Sequence, residues 1–314
     1  MNSTISSGDK PYRLMEQESV KRSGSFKLAE KLKDYMLLVK FNLSFMVVFS
    51  AVISYLLAPL VKVYDWKAIM LLSVGGMLVT GSANALNQAM EKQTDSMMKR
   101  TAGRPVASGR MSVAEATSFA IVCGLAGTML LWHFNFLTAL LSIFSLFFYA
   151  FIYTPLKKVS SVSVLAGAIP GAMPCLIGWA AGNDSLSAGG WILFALQFFW
   201  QFPHFWAIAW IAHKDYSAAG FKLLPSGEGQ TKYSAIQAVI YSLLLLPVVV
   251  LPYFNGMSGL VSLVVIVIAN LFMIGQCVRL YKDMTVQAAR RVMFSSYFYL
   301  PVVLLALLLD KVVN

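Results

Sequence analysis

Asn87, Glu91 and Asp95 stand in the stretch NALNQAMEKQTDSMMKRTAGRP, residues 84–105, close behind the apolar run MLLSVGGMLVTG. The spacing is i, i+4, i+8, which on a helix places all three side chains on one face, about 6 Å apart per step. Two carboxylates on one face repel unless a cation sits between them. An oxygen-rich stripe of this kind suits a hard divalent ion such as Mg²⁺, which takes one or two protein carboxylates and fills its shell with phosphate oxygens and water. Lys99, Arg100 and Arg104 follow at once, and cations of this type grip phosphate. Acids followed by cations make chemical sense together if the ligand is a metal-bridged diphosphate. A second polar patch closes the stretch QFPHFWAIAWIAHKDYSAAGFKLLP, residues 201–225, where Lys214, Asp215 and Tyr216 end an aromatic-rich helix. The alternative for each patch is a solvated helix end; carboxylates at a membrane mouth are costly and usually functional.

The elements that carry these patches are apolar. The chain has 314 residues, of which 58% are hydrophobic and only 12% charged, against about 25% charged in globular proteins. Windows of about 20 apolar residues predict nine membrane spans, near residues 36–59, 68–90, 112–132, 135–155, 162–181, 190–211, 233–253, 257–277 and 292–311. The fold class is therefore all-α, a polytopic bundle of about nine transmembrane helices. Residues 1–34 read as a polar, flexible cytoplasmic tail with an amphipathic end near residues 26–35, and residues 35–314 as the transmembrane domain. The tail has no early apolar core of the signal-peptide kind. Cys123, Cys175 and Cys277 lie in apolar runs with no metal-ligand spacing and read as small core residues.

With the N-terminus inside, only Lys62, Lys67 and Lys311 of the 25 Lys and Arg fall on the outer side. That bias orients the bundle with both polar patches facing the cytoplasm. The net charge of +11 then lies where anionic lipid headgroups and anionic substrates are met. No basic block is interleaved with stacking aromatics, so nucleic acid is not an expected partner.

The pattern NxxxExxxD followed by KRTAGRP resembles the first motif of the UbiA-type membrane prenyltransferases. Within them the chain is similar to the protoheme IX farnesyltransferases, or heme O synthases. The supporting segments are SGRMS after Arg104–Pro105, YTPLK at residues 153–157, GAIPGAMPCLIGW at 167–179, and PHFWAIAW with DYSAAGFKLLP. The resemblance runs from about Phe41 to Pro225. It departs from the wider superfamily at two points: Glu91 stands where Asp is usual, and Ala219 occupies the position four after Asp215, so no paired DxxxD closes the second patch.

The resemblance implies transfer of the farnesyl group of farnesyl diphosphate to a vinyl group of heme B, with addition of water, giving heme O. It implies Mg²⁺ held by Asn87, Glu91 and Asp95 with Asp215, and diphosphate held by Lys99, Arg100, Arg104, Lys214 and Tyr216. Heme B is a substrate on this reading, with His204 as a ligand or orienting group and Lys157 and Lys158 as partners for its propionates. Phe202, Phe205, Trp206 and Trp210 are candidates for walling the allylic cation, or for ordinary packing. A bacterial inner-membrane location follows, with a heme A synthase or terminal oxidase as recipient of the product. Three rivals remain: a UbiA-type enzyme acting on a quinone-precursor aromatic or chlorophyllide, a transporter with an anion-binding mouth, and a structural heme scaffold that leaves the acid–cation cluster without a role.

Overall fold

The computed structural model describes residues 28–312. The flexible-tail expectation falls mainly on residues 1–27, outside the described residues. Residues 28–34 belong to the first helix, α1 (Leu28–Leu38), which meets α2 (Phe41–Leu57) at a 51° bend. Lys40, in the left-handed region at φ 49°, makes the break. α1 is held to the bundle by Arg110 against Asp34 at 2.9 Å and by Lys31 against Glu115 at 2.6 Å.

The remaining helices follow in order: α3 (Trp66–Met90), α4 (Lys92–Met97), α5 (Val113–Trp132), α6 (Phe136–Phe147), α7 (Thr154–Leu156), α8 (Ser163–Asn183), α9 (Ala188–Ile211), α10 (His213–Ala218), α11 (Lys232–Phe254), α12 (Leu260–Asp283) and α13 (Val286–Leu309). A π-helical segment, Phe148–Tyr153, joins α6 to α7. Among the described residues eight helices are long and apolar enough to cross a membrane, or nine with the bent α1–α2 pair as one span. The chain is thus an integral, multi-pass membrane protein. The last span begins at Val286 rather than near residue 292, because its first turns carry Arg290 and Arg291, which an apolar window rejects. Side-chain caps set the starts: Asp65 for α3, Ser112 for α5, Asn135 for α6, Thr231 for α11 and Thr285 for α13 each accept from backbone N–H groups of the first turn.

α8 is the most enclosed span, and its small residues explain why. It packs on α2, α6 and α9. A Cβ on Gly178 would stand 1.9 Å from the Ala51 carbonyl oxygen of α2, so only glycine allows that crossing. Inside the α8–α9 interface Gln197 Nε2 donates to the Gly171 carbonyl at 2.8 Å and Gln201 Nε2 to the Ala168 carbonyl at 3.0 Å. Amide side chains buried in a membrane need such partners. α9, α11, α12 and α13 form the second side of the bundle, and α13 returns to α2 to close it. At that end Lys311 Nζ donates to the carbonyls of Leu56, Ala58 and Val61 at 2.7, 3.0 and 3.0 Å, capping the last turn of α2. Burial lowers this ammonium below the usual lysine range. All three cysteines are buried and free.

Candidate active site

At the opposite face, the ends of α3, α6, α8 and α9 and the α1–α2 break surround a cavity of about 300 Å³. Asn87, Glu91 and Asp95 line it and are almost wholly enclosed, at 1%, 4% and 1% exposure. The chain turns at Glu91, between α3 and α4, yet the Glu91 N–H still donates to the Asn87 carbonyl at 3.0 Å and the Asp95 N–H to the Glu91 carbonyl at 2.7 Å. The four-residue step therefore survives the turn, and the three side chains keep a common face.

Each acid has its own cation. Arg104 Nη1 donates to both Asp95 carboxylate oxygens at 2.8 and 2.7 Å. Lys157 Nζ lies 2.6 Å from Glu91 Oε1. Asn87 Nδ2 donates to Glu91 Oε2 at 2.8 Å, and Asn87 Oδ1 accepts from Lys40 Nζ at 3.1 Å. Consecutive turns after α4 present Arg104: the Thr101 N–H bonds the Met98 carbonyl, and the Arg104 N–H bonds the Thr101 carbonyl. Arg100 also lines the cavity and donates to the Tyr216 hydroxyl, with its guanidinium 5.2 Å from the ring centre. Three cations, Arg100, Arg104 and Lys157, with the Lys40 amine beside them, thus face two acids, which leaves the chamber positive and fit for a metal-bound diphosphate.

The π-helical segment supplies the aromatic wall. Tyr149 and Tyr153 lie with ring centres 5.2 Å apart, and Thr154 Oγ1 donates back to the Tyr149 carbonyl at 2.9 Å. The Tyr153 ring rests on Gly167 of α8, where an added Cβ would sit 2.6 Å from it. Lys157 Nζ lies 4.9 Å from the Tyr153 ring centre and 5.3 Å from that of Phe221, contacts that favour a cation. A narrow apolar groove of about 100 Å³ continues between α2, α3, α6 and α8, lined by Val48, Leu72, Val79, Leu146 and Ile177 among others. Leu43 and Tyr149 line both spaces.

The structure brings together Asn87, Glu91, Asp95, Arg100, Arg104, Tyr216, Lys157 and His204 of the residues singled out in the sequence. It does not bring in Lys99, Lys158 or Lys214, whose side chains are exposed, or Asp215, which is half-buried. Neighbours on a helix diverge by about 100°, and on α10 it is Tyr216, not Asp215, that takes the cavity side. Lys157 is not free for an anionic substituent, because Glu91 holds it. His204 Nδ1 is 2.8 Å from Ser296 Oγ and the ring stacks on Trp200 at 4.9 Å. Of the four candidate aromatic residues on α9, Phe205 lines the cavity; Phe202, Trp206 and Trp210 pack in the core.

Lys40, Tyr149 and Tyr153 were not singled out as site residues. Lys40 reads in sequence as one more topology-setting cation, and only the left-handed break aims it inward. Among the described residues no three His, Cys, Asp or Glu side chains converge. The oxygen donors are two carboxylates and one amide, which fits a cation that completes its shell with phosphate oxygens and water.

The UbiA prenyltransferase family matches residues 47–300, most of the chain and all of the residues that line this chamber except Lys40 and Leu43. The chain belongs to that family. It is 43% identical to the protoheme IX farnesyltransferase of Cytophaga hutchinsonii over 91% of this chain and 100% of that one. Among solved structures, a digeranylgeranylglyceryl phosphate synthase superposes with a TM-score of 0.74 at 21% identity, covering 90% of this chain and 98% of that one. A UbiA homolog from Archaeoglobus fulgidus bound to GPP and Mg²⁺ superposes with a TM-score of 0.61 at 13% identity, covering 87% and 99%. These two likenesses show the UbiA fold. The chain is a membrane prenyltransferase.

Proposed function

We propose that this UbiA-family enzyme transfers the farnesyl group of farnesyl diphosphate to a vinyl carbon of heme B, with addition of water, to give heme O and diphosphate. The observation that carries the reading is the adjacency of two spaces: a chamber in which three cations and the Lys40 amine face two buried acids lies against an apolar groove, and Leu43 and Tyr149 line both. A diphosphate suits the first and an isoprenoid chain the second. The identity to a protoheme IX farnesyltransferase over nearly the whole chain supports heme B as the acceptor.

A vinyl carbon is a weak nucleophile, so the leaving group must depart with assistance. Arg100 and Lys40 grip the phosphate oxygens, while Arg104 and Lys157, held against Asp95 and Glu91, keep positive charge beside the negative charge that develops as the C–O bond breaks. Lys99 and Lys214 attract the substrate at the rim, and Tyr216 faces it from α10. Asn87, Glu91 and Asp95 would hold Mg²⁺, which when bound supplies Lewis-acid neutralisation of the diphosphate. Tyr149, Tyr153 and Phe205 offer ring faces to the allylic cation and no strong nucleophile to intercept it. The vinyl carbon forms the new C–C bond; the resulting cation beside the porphyrin takes a hydroxyl from water, which releases a proton. Water must be excluded before that point, or farnesol forms instead. The chamber faces the cytoplasm, where the excess of Lys and Arg lies.

Product mass spectrometry tests the reading directly. The purified enzyme with farnesyl diphosphate and heme B is expected to yield heme O, and a chelator to stop it. Prenylation of a hydroxybenzoate with none of heme B would overturn the choice of acceptor.

A further inference from the structure

A second cavity, of about 470 Å³, lies beside the chamber on the same face. The α7–α8 connection contributes Ser160 and Ser161 to it, and the segment from α10 towards α11 contributes His213, Ser217 and Lys222. Tyr216, Phe221 and Leu223 line both cavities and form the wall between them. The two connections are stitched together where the Lys222 N–H donates to the Lys157 carbonyl at 2.9 Å. Lys157, whose ammonium is committed to Glu91, thus belongs to the first chamber, and Lys222 to the second.

The charge content differs in kind. The first chamber mixes acids and cations; none of the residues lining the second is an acid. Lys222 has an exposed side chain, and among the described residues it has no ion-pair partner and the Ser161 hydroxyl makes no hydrogen bond. His213 meets Ser217 Oγ at 3.4 Å, and its ring covers Gly229, where a Cβ would lie 2.4 Å away. Such a set of donors takes a carboxylate. A flat acceptor with carboxylates on one edge and a vinyl group elsewhere needs polar recognition outside the reaction chamber and an aromatic surface leading into it. The Tyr216–Phe221 wall supplies that surface.

We propose that this cavity cradles the propionate carboxylates of the acceptor, with Lys222 as the charged contact and Ser161 as a hydroxyl donor, while the macrocycle lies over Tyr216 and Phe221. This rests on heme B being the acceptor. It moves the carboxylate contact from Lys157 and Lys158 to Lys222.

The test uses the full-length enzyme with heme B and with its dimethyl ester, which keeps the vinyl groups and loses both carboxylates. K222M should raise KM for heme B by about tenfold, leave KM for farnesyl diphosphate unchanged, and leave KM for the ester unchanged. S161A should act in the same direction and less. K282M, which removes a cation from the same face outside both cavities, should change none of these. Equal effects of K222M on heme B and ester, or an unchanged KM for heme B, would overturn the proposal. Absorbance titration of heme B onto enzyme without farnesyl diphosphate makes the same comparison for binding alone. Failure of the wild type to form heme O would then refute the transferase reading, while the titration still decides the cradle.

Discussion

The two polar patches look alike in sequence and are unlike in the fold. At the end of α3 every polar side chain of the motif is buried and partnered: Asp95 by Arg104, Glu91 by Lys157 and Asn87. At the end of α9 the charged groups Lys214 and Asp215 stay at the surface, and the chamber receives Tyr216 and Phe221 instead. A buried acid held by a buried cation is costly to assemble and fixed in place once assembled. A half-exposed acid on a short helix is neither. The difference assigns preorganised charge to the first patch and shape, with one aromatic hydroxyl, to the second.

The largest expected effect comes from breaking the first patch. The Glu91→Ala/Asp95→Ala double variant, correctly inserted, should lose turnover by about a thousandfold or more, read as heme O formed per folded enzyme. Full-rate prenylation would remove the basis of the comparison. Arg104→Lys keeps the charge but loses the two-pronged contact with Asp95, and a fall of about a hundredfold is expected; initial rates at saturating substrates check it. Asp215→Asn should cost at most about fivefold, as expected for a half-exposed charge outside the chamber. A loss matching that of Asp95→Asn in the same assay would place the second patch on an equal footing. The smallest effect on activity is expected far from both. Lys311→Met removes the cap on α2 at the opposite face, and should lower the melting temperature by about 2–4 °C while turnover per folded molecule stays the same.

The spans were legible because a bilayer demands long apolar runs, and the nine expected windows overlap the observed helices. Half of the site was legible for a related reason. Asn87, Glu91 and Asp95 are local, and helical periodicity alone puts them on one face. The pairing of Glu91 with Lys157 was not legible, because it depends on where α6 runs relative to α3. YTPLK draws the eye to Lys157, but nothing local points from it to Glu91. Lys40 was hidden for another reason: one cation at the head of an apolar run explains itself as a topology signal, and nothing in its neighbours announces a left-handed backbone. Tyr149 and Tyr153 carry a faint signal, two tyrosines and a lysine at four-residue spacing, lost among the other aromatic residues of that span.

The π-helical turn at Phe148–Tyr153 constrains this family member in a way no side chain does. A π turn fits an extra residue into the length of an α-helical turn. Deleting any one residue of the six would let the helix relax to its ordinary pitch, and everything downstream would swing by about 100°. Lys157 would then leave Glu91 and drag with it the loop that carries Lys222. The segment therefore acts as a phase shifter: apart from Tyr149 and Tyr153 its letters can drift, provided their number does not.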